Sequence, residues 1–446
     1  MWIEQVSVEN FRLFKKRTFS FHPYFNLLVG ENGNGKTSLI TLLAICVSAW
    51  VENICSPSSI SLLNFTEDDI RTILKDINGE FRDEHDASIH IEALSNGIPV
   101  LSGNSIPSKL VAGGFACFDI NNHGKIKCYP KEKLFTGPTF QTLRQNNIDF
   151  IMPVFTFYRC NRLWNTIGVE NNFQKAMEAR FQRLDGYNGW ADAHTDDRDL
   201  MLWMQKLDII AYQEKTEPLG WRVFQTALKI CYEDFEQLKF MAKEGQLVIF
   251  FLDGRRLPFN HLSDGQRTLF AMIGDLVRRA VLLNPHLGDK VLEETPGIVL
   301  IDELDLHLHP KWQRRIIEDL RRTFPKIQFI ATTHSPFLIQ SLRDGGLIQL
   351  DGETGEEYSD ASIEDIAENI QGVEMPQKSL RFTQMMEAAE AYYKRLHECA
   401  DATDPQTQSL KQRLDELSIP FSDDPAFAAF LKFERDTLVA KEDKEA

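Results

Sequence analysis

A glycine-rich segment near the start of the chain has the spacing GxxxxGK(S/T) of a phosphate-binding loop: Gly30-Glu31-Asn32-Gly33-Asn34-Gly35-Lys36-Thr37. Glycines let successive backbone N–H groups turn toward one anion, and a helix that begins after the loop adds the positive end of its dipole. Lys36 would contact the β- and γ-phosphates of a nucleotide, and Thr37 would offer its hydroxyl to Mg²⁺. The predicted phosphate contacts are Gly30, Asn32, Gly33, Asn34, Gly35, Lys36, Thr37 and Ser38.

Two carboxylates follow an apolar run later in the chain. Residues 298–301 are apolar throughout, as in a central parallel strand, and Asp302 and Glu303 come next. Ligands of open α/β sheets bind at the carboxyl ends of the strands. Asp302 would hold Mg²⁺, directly or through water, and Glu303 would orient and deprotonate an attacking water. The alternative is that the two acids only cap the following helix.

Two shorter patterns lie on either side of this acidic pair. Ser263 and Gly265 precede a helical pattern from Thr268 to Leu283, in which Ser263 is a natural N-cap and Gly265 permits close backbone approach. A strand pattern at 328–331 leads into Thr332-Thr333-His334-Ser335-Pro336. Each pattern alone is unremarkable, because capped helices and single histidines are common.

The residues of these motifs lie in a chain whose pattern alternates between strands and helices. Residues 1–50 are predicted to form strands, the glycine-rich loop and a helix, and in 246–350 short apolar runs alternate with amphipathic helices. We therefore predict an α/β fold with a mainly parallel sheet, whose head is split between 1–50 and 246–350. Residues 51–245 are predicted to be an inserted arm, first mixed with turns at Asn96-Gly97 and Gly113-Gly114 and then helical. Residues 351–446 are predicted to be a helical tail for partner or oligomer contacts.

Composition limits the class of protein. With 49 Lys and Arg against 65 Asp and Glu, the formal charge of −16 excludes a uniformly basic nucleic-acid binder. Seven scattered cysteines without a CxxC pair indicate reduced thiols. The start of the chain has no signal-peptide pattern, and the longest apolar run is too short to span a bilayer, which needs about 20 residues. We expect a cytoplasmic protein without a membrane contact.

The motifs, in this order, resemble those of ABC-like AAA ATPases of the RecF, Rad50, SMC and OLD-type branch. Leu262-Ser263-Asp264-Gly265-Gln266 looks like the signature of that family, in which one subunit's signature contacts the γ-phosphate held by another. The resemblance implies ATP and Mg²⁺ as cofactors, head-to-tail dimers or larger homo-oligomers, Ser263 and Gly265 acting in trans, and His334 as the switch histidine. It also places Arg12 at the nucleotide from the first hairpin; a surface arginine is the alternative.

Residues 310–315 and 319–325, with parts of the tail at 362–366, 372–373, 381 and 392–393, look like the PtuA-type ATPases of Septu anti-phage systems. Those ATPases work beside a separate HNH nuclease of the PtuB type, so the resemblance implies an HNH partner and DNA contact through the complex. Coiled-coil arms of the Rad50 and SMC kind are absent from the sequence pattern, and no nuclease motif follows His334. We therefore expect an ATPase without a nuclease site of its own. The alternatives are a RecF-like, ATP-gated DNA-repair clamp and a regulatory scaffold.

Some positions depart from the family pattern. His309 stands where transporter-type members carry the D-loop aspartate, and no Q-loop glutamine can be assigned, although Gln141 lies in the right region. ATP turnover could therefore be slow or purely regulatory. His307 and His309 resemble half a metal site, but a structural or subunit-contact role is favoured. Five basic residues could touch DNA, although a solvated helix face is the favoured interpretation: Lys311, Arg314, Arg315, Arg321 and Arg322.

Overall fold

The computed structural model describes residues 1–54, 63, 69, 71–77, 80–85, 88–99, 110–121, 126–129, 151–160, 178–191, 197–241, 246–351, 358, 360–373, 379–398 and 404–418. The chain divides into two compact units, Met1–Ile366 and Ala367–Ala446. Gln141 lies outside the described residues.

The strands are β1 (Trp2–Phe11), β2 (Phe14–Ser20), β3 (Phe25–Val29), β4 (Thr72–Ile77), β5 (Glu80–His85), β6 (Ser88–Pro99), β7 (Leu110–Asn121), β8 (Ile126–Tyr129), β9 (Val154–Tyr158), β10 (Phe235–Met241), β11 (Gln246–Phe251), β12 (Arg256–Pro258), β13 (Gly297–Ile301), β14 (Ile327–Thr332) and β15 (Gly346–Gln349). The helices are α1 (Lys36–Ile54), α2 (Asp197–Glu214), α3 (Leu219–Cys231), α4 (Asp264–Leu283), α5 (Val291–Glu294), α6 (Pro310–Gln313), α7 (Ile316–Thr323), α8 (Pro336–Ser341), α9 (Ile363–Asn369), α10 (Leu380–Glu398) and α11 (Pro405–Ser418). In the part of the chain that the structure describes, no helix is both long and apolar enough to cross a membrane.

Five parallel strands form the central sheet, in the order β15-β3-β14-β13-β9. Every residue of β3, β9, β13 and β14 is buried, as expected for parallel strands covered on both faces. The predicted α/β class with a mainly parallel sheet is therefore confirmed. Strand β9 completes this sheet, although the sequence pattern assigns it to the insert at 51–245.

Antiparallel strands join the start of the chain to the insert. They form one sheet in the order β2-β1-β6-β7-β8, in which β1 pairs with both β2 and β6. The turns predicted at Asn96-Gly97 and Gly113-Gly114 are wrong, because these residues lie inside β6 and β7. The β6–β7 pairing shifts register at 93–94 and between 95 and 98, so the two sites mark irregular pairing and not chain reversals.

A buried glutamine connects the first strand to the central sheet. Gln328 of β14 accepts a hydrogen bond from the Ile3 N–H (2.8 Å) and donates to the Ile3 carbonyl (2.9 Å) and the His22 carbonyl (2.9 Å). Its amide thereby satisfies three backbone groups that face each other across two sheets. The β1–β2 hairpin is fixed at its base by these bonds.

Helix α4 is held against β9 by a buried ion network. Asp275 accepts hydrogen bonds from Tyr158 Oη (2.8 Å), Arg279 Nε (2.6 Å) and Arg278 Nη2 (3.1 Å). Burial alone would raise the pKa of Asp275, but Arg279 and Arg278 hold it below its ordinary value. The network fixes the helix that begins at Ser263 to a strand that neighbours the acidic pair.

The second unit contains the helical hairpin of α10 and α11. Its core is formed by Met385, Ala388, Ala389 and Leu414, with Tyr392 and other half-buried side chains packed against them. Asp404 begins α11 by accepting from the N–H of Thr407 (3.2 Å).

Candidate nucleotide site

Three neighbouring strands end at the same edge of the central sheet. The glycine-rich loop follows β3, the acidic pair follows β13, and His334 follows β14, which lies between them. Because all three strands are parallel, their carboxyl ends meet at one edge. The topology therefore brings Lys36, Asp302, Glu303 and His334 to one side of the molecule.

Three glycines of the phosphate loop have backbone angles that other residues rarely adopt. The φ angles are +148° at Gly30, +91° at Gly33 and +92° at Gly35. A Cβ at Gly35 would also lie 2.9 Å from Cζ of Phe14, which packs on the loop from the first hairpin. Glycine at 35 is thus required for both its angle and its lack of a side chain.

Lys36 is already held by the loop that carries it. Its ammonium donates to the carbonyls of Gly30 (2.6 Å) and Glu31 (2.9 Å), which uses two of three N–H groups. Burial lowers the pKa of Lys36, and the carboxylate of Asp351 opposes this shift more than Asp302 does. The third N–H can serve a phosphate without any change of the loop.

The structure brings Arg12 to the start of α1. The residue has φ +45° in the turn of the first hairpin, and its guanidinium pairs with Asp69 at 2.8 Å. Arg12 Nη1 also donates to the Ser38 hydroxyl (3.4 Å), directly after Thr37. The Arg12 guanidinium therefore lies beside the start of α1, and its contact with nucleotide stays a prediction.

The acidic pair is oriented by Thr332, the first residue of the pattern around His334, to which the sequence assigned no role. Asp302 is buried, and its Oδ1 accepts from the Thr332 hydroxyl (2.7 Å). That same hydroxyl accepts from the N–H of Glu303 (2.6 Å), whose φ is +54°. Thr332 therefore links the ends of β13 and β14 and fixes the unusual backbone from which the Glu303 side chain extends.

A second set of hydrogen bonds joins residues 302–309, here called the acidic loop, to residues 332–335, here called the switch loop. Asp305 accepts from the Thr333 hydroxyl (2.6 Å) and from the N–H of His334 (3.3 Å). Gln313 accepts from the Ser335 hydroxyl (2.7 Å) and donates to the Leu308 carbonyl (2.8 Å). A carboxylate thus does hold this loop, at Asp305, although His309 occupies the position of the family aspartate.

His307 and His309, the two histidines of the acidic loop, are exposed. His309 Nδ1 accepts from the N–H of Lys311 (3.2 Å) and so caps helix α6. Among the described residues there is no group of three or more His, Cys, Asp or Glu side chains that could hold a metal ion. His309 therefore has the structural role that the sequence favoured.

Ser263 and Gly265 begin helix α4 as the sequence predicts. The Ser263 hydroxyl accepts from the N–H of Gln266 (3.3 Å), and the Gln266 side chain accepts in return from the N–H of Ser263 (3.2 Å). A Cβ at Gly265 would lie 2.1 Å from the carbonyl oxygen of His307. Gly265 thus packs on the acidic loop of its own chain, while Ser263 is exposed.

Three residues of the basic cluster, Lys311, Arg315 and Arg322, are paired with carboxylates. Arg315 pairs with Glu233 (2.5 Å) and Asp319 (2.7 Å), and Arg322 pairs with Glu318 (2.8 Å). The other basic residues are also engaged: Lys311 with Glu233, Arg314 with the ring of Phe337, and Arg321 with the Arg343 carbonyl. The solvated helix face, favoured over a DNA contact, stays a prediction for this cluster.

Comparison with known proteins places ATPase segments on both halves of the site. Residues 1–158 match the family model described as AAA ATPase domain. Residues 187–340 match the model described as AAA domain, putative AbiEii toxin, Type IV TA system. The first segment contains the phosphate loop, and the second contains Ser263, the acidic pair and His334.

Several relatives are named as ATPases or as Septu proteins. The retron Vc95 probable ATPase of Vibrio cholerae serotype O1 biovar El Tor is 24% identical over 76% of this chain and 71% of its own length. Septu protein PtuA of Bacillus mycoides (strain KBAB4) is 44% identical over 22% of this chain, and PtuA of Bacillus thuringiensis is 36% identical over 23%. These two matches span 13% and 26% of the Septu proteins. The chain is thus a homologue of Septu and retron ATPases.

Solved structures similar to this chain include the SMC head domain from Thermotoga maritima. It is 14% identical, has a TM-score of 0.40, and the alignment covers 78% of this chain and 94% of that chain.

Proposed function

We propose that this chain is the ATP-binding and ATP-hydrolysing subunit of an anti-phage defence complex. The observation that carries this proposal is the conformation of the phosphate loop, in which two loop carbonyls hold the Lys36 ammonium. The loop lies at the same edge of the central sheet as Asp302 and Glu303. The homology to Septu and retron ATPases supports the defence context.

Each residue of the site has a distinct role in this proposal. Lys36 and the loop amides bind the phosphates of ATP, with Arg12 and Ser38 beside them. Glu303 orients the attacking water and accepts its proton, while His334 contacts the γ-phosphate. Residues Gly30, Asn32, Gly33, Asn34 and Gly35 complete the cradle.

The residues present fit a magnesium ion. The Thr37 hydroxyl and the Asp302 carboxylate are oxygen ligands of the kind that Mg²⁺ prefers, and Asp302 is fixed by Thr332. The ion, when bound, would neutralise part of the phosphate charge.

A second copy of the chain would complete the site. Ser263 is exposed at the N-terminus of α4, a 20-residue helix whose positive end suits a phosphate held elsewhere. We propose that Ser263 and Gly265 of one copy close on ATP bound by another, in head-to-tail dimers or larger assemblies. The resulting change of assembly would control a separate HNH nuclease of the PtuB type, and DNA would be cut by that partner.

The experiment that tests ATP binding compares two lysine variants. Lys36→Ala removes the ammonium that meets the phosphates, so we expect loss of ATP binding in a titration with a fluorescent ATP analogue. Lys16→Ala is the matched control, because Lys16 is an exposed lysine of β2 paired with Glu9. Normal ATP affinity in Lys36→Ala would refute the site.

The experiment that tests the defence role is co-expression with the product of the neighbouring gene, which we expect to be an HNH protein. We expect the two proteins to co-purify and their nuclease activity to respond to ATP. A chain that cuts DNA by itself would contradict the division of labour. ATP-dependent DNA binding by the chain without a partner would favour the alternative function, a RecF-like DNA-repair clamp.

A further inference from the structure

Asp351 lies beside the phosphate loop although it belongs to none of its motifs. Strand β15 pairs with β3 in parallel, and the Leu350 N–H donates to the Val29 carbonyl (3.0 Å). Gly30 is therefore the first residue after β3, and Asp351 is the second residue after the adjacent strand β15. Arg17 fixes the end of β15 by donating to the carbonyls of Leu350 (2.6 Å) and Gln349 (2.9 Å).

Both oxygens of the Asp351 carboxylate bind the loop. Oδ2 accepts from the N–H of Glu31 (2.6 Å), and Oδ1 accepts from the side-chain amide of Asn34. A Cβ at Gly30 would lie 2.8 Å from Oδ2, so the carboxylate rests directly on the first glycine. Glu31 and Asn34 are also the two ends of a backbone turn, closed by the Asn34 N–H and the Glu31 carbonyl (3.4 Å).

The peptide group between Gly30 and Glu31 is hydrogen-bonded at both its carbonyl and its N–H. Its carbonyl, on Gly30, accepts from Lys36 Nζ (2.6 Å), and its N–H, on Glu31, donates to Asp351 (2.6 Å). Because a peptide group is planar, fixing its N–H also fixes the direction of its carbonyl. Asp351 thereby sets the acceptor that holds the Lys36 ammonium.

We propose that Asp351 is a positioning residue for nucleotide binding: by holding the Gly30–Glu31 peptide and Asn34, it preorganises the loop before ATP arrives. The proposal rests on the proposed ATPase function. A carboxylate would repel the phosphates of ATP, so Asp351 is not expected to bind the nucleotide itself. Its role lies in the two hydrogen bonds to the loop, which are strong because the acceptor is charged. Both hydrogen bonds of the carboxylate go to the phosphate loop, so we expect its effect to fall on nucleotide binding.

The test uses the full chain with three substitutions. Asp351→Ala removes both bonds, and we expect a rise in Kd and KM for ATP of about tenfold, with kcat within about twofold. Asp351→Asn keeps a carbonyl acceptor for the Glu31 N–H, so its Kd is expected between those of wild type and Asp351→Ala. Asp360→Ala is the control, because it removes an exposed aspartate from another turn.

Two measurements separate positioning from a general loss of structure. Thermal unfolding is expected to change little, because Asp351 is exposed at the end of an edge strand. Asn34→Ala combined with Asp351→Ala should weaken binding by less than the product of the two single effects, since they share a bond.

Three results would overturn the proposal. Tighter ATP binding in Asp351→Ala would mean that the carboxylate competes with phosphate; unchanged binding would mean that it has no role. An Asn variant that binds no better than the Ala variant would contradict the hydrogen-bond account. Lys36→Ala, measured in parallel, keeps the proposals apart: if wild type binds ATP and Lys36→Ala does not, the ATP site stands whatever Asp351 does.

Discussion

Side chains with no role predicted from the sequence hold the residues of the site in place. The Thr332 hydroxyl bonds both Asp302 and the backbone of Glu303, and Asp305 bonds Thr333 and the backbone of His334. The sequence predicted the groups that would face phosphate and Mg²⁺, because their spacing follows from the chemistry of the ligand. It did not predict Thr332 or Asp305, since a polar residue at a strand end has no characteristic spacing.

Replacing Thr332 by valine should affect catalysis more than binding. The change keeps the shape of the side chain but removes the hydroxyl that orients the acidic pair. We expect kcat for ATP hydrolysis to fall about tenfold while the Kd for ATP changes less than about threefold. Steady-state kinetics and nucleotide titration measure the two quantities.

Thr295→Val is the matched control for this prediction. Thr295 is also buried, and its hydroxyl accepts from Asn284 (3.1 Å), but it lies at the opposite end of β13. It should lower stability without lowering kcat. Equal loss of kcat in both variants would show that Thr332 acts only through stability.

The buried thiol of Cys231 should be inert in the folded protein. Burial raises its pKa to about 12, against 9.0 for an ordinary thiol. Brief treatment with iodoacetamide at about pH 8 should therefore label the exposed Cys160 and leave Cys231 unlabelled, as mapped by mass spectrometry. Rapid labelling of Cys231 would contradict its burial.

The same thiol has a consequence for stability. Between the unfolded pKa near 9.0 and the folded pKa of about 12, the unfolded chain releases a proton that the folded chain retains. The contribution of the buried, protonated Cys231 to the free energy of unfolding is therefore fully present below pH 9.0. It is lost as the pH rises toward 12.

For the helices and strands, the sequence predicts which type of element forms better than it predicts which strands lie side by side. The apolar runs after Gly297 and Ile327 became central parallel strands as expected. Strand order could not be predicted: nothing local indicates that β9 joins β13 or that β15 brings Asp351 to a loop 320 residues earlier. The glycines at 97, 113 and 114 look like turns locally, yet strand pairing keeps them inside β6 and β7.

Gln328→Leu should weaken the connection between the first strand and the central sheet. Leucine fills a similar volume but leaves the Ile3 N–H, the Ile3 carbonyl and the His22 carbonyl without their partner. We expect a loss of about 3 kcal/mol in the free energy of unfolding, measured by urea denaturation. Gln340→Leu, which removes one half-buried bond to the Ala361 carbonyl, should cost less than about 1 kcal/mol. Equal losses would refute the role of Gln328.

For the whole molecule, net charge and local charge carry different information. The chain has a formal charge of −16, and three of the five basic residues of the cluster at 311–322 are paired with acids. DNA is therefore expected to meet this protein mainly through another subunit. What the chain itself presents is a phosphate loop at one sheet edge and an exposed Ser263 at the start of α4.

The central claim is that ATP joins these two surfaces between copies of the chain. Glu303→Gln should bind ATP but not hydrolyse it, so ATP should cause a stable increase in assembly mass, measured by analytical ultracentrifugation. Ser263→Arg in the same chain should abolish that increase, because the added side chain blocks the second copy. An assembly mass that ATP leaves unchanged in Glu303→Gln, or an increase that survives Ser263→Arg, would contradict the account.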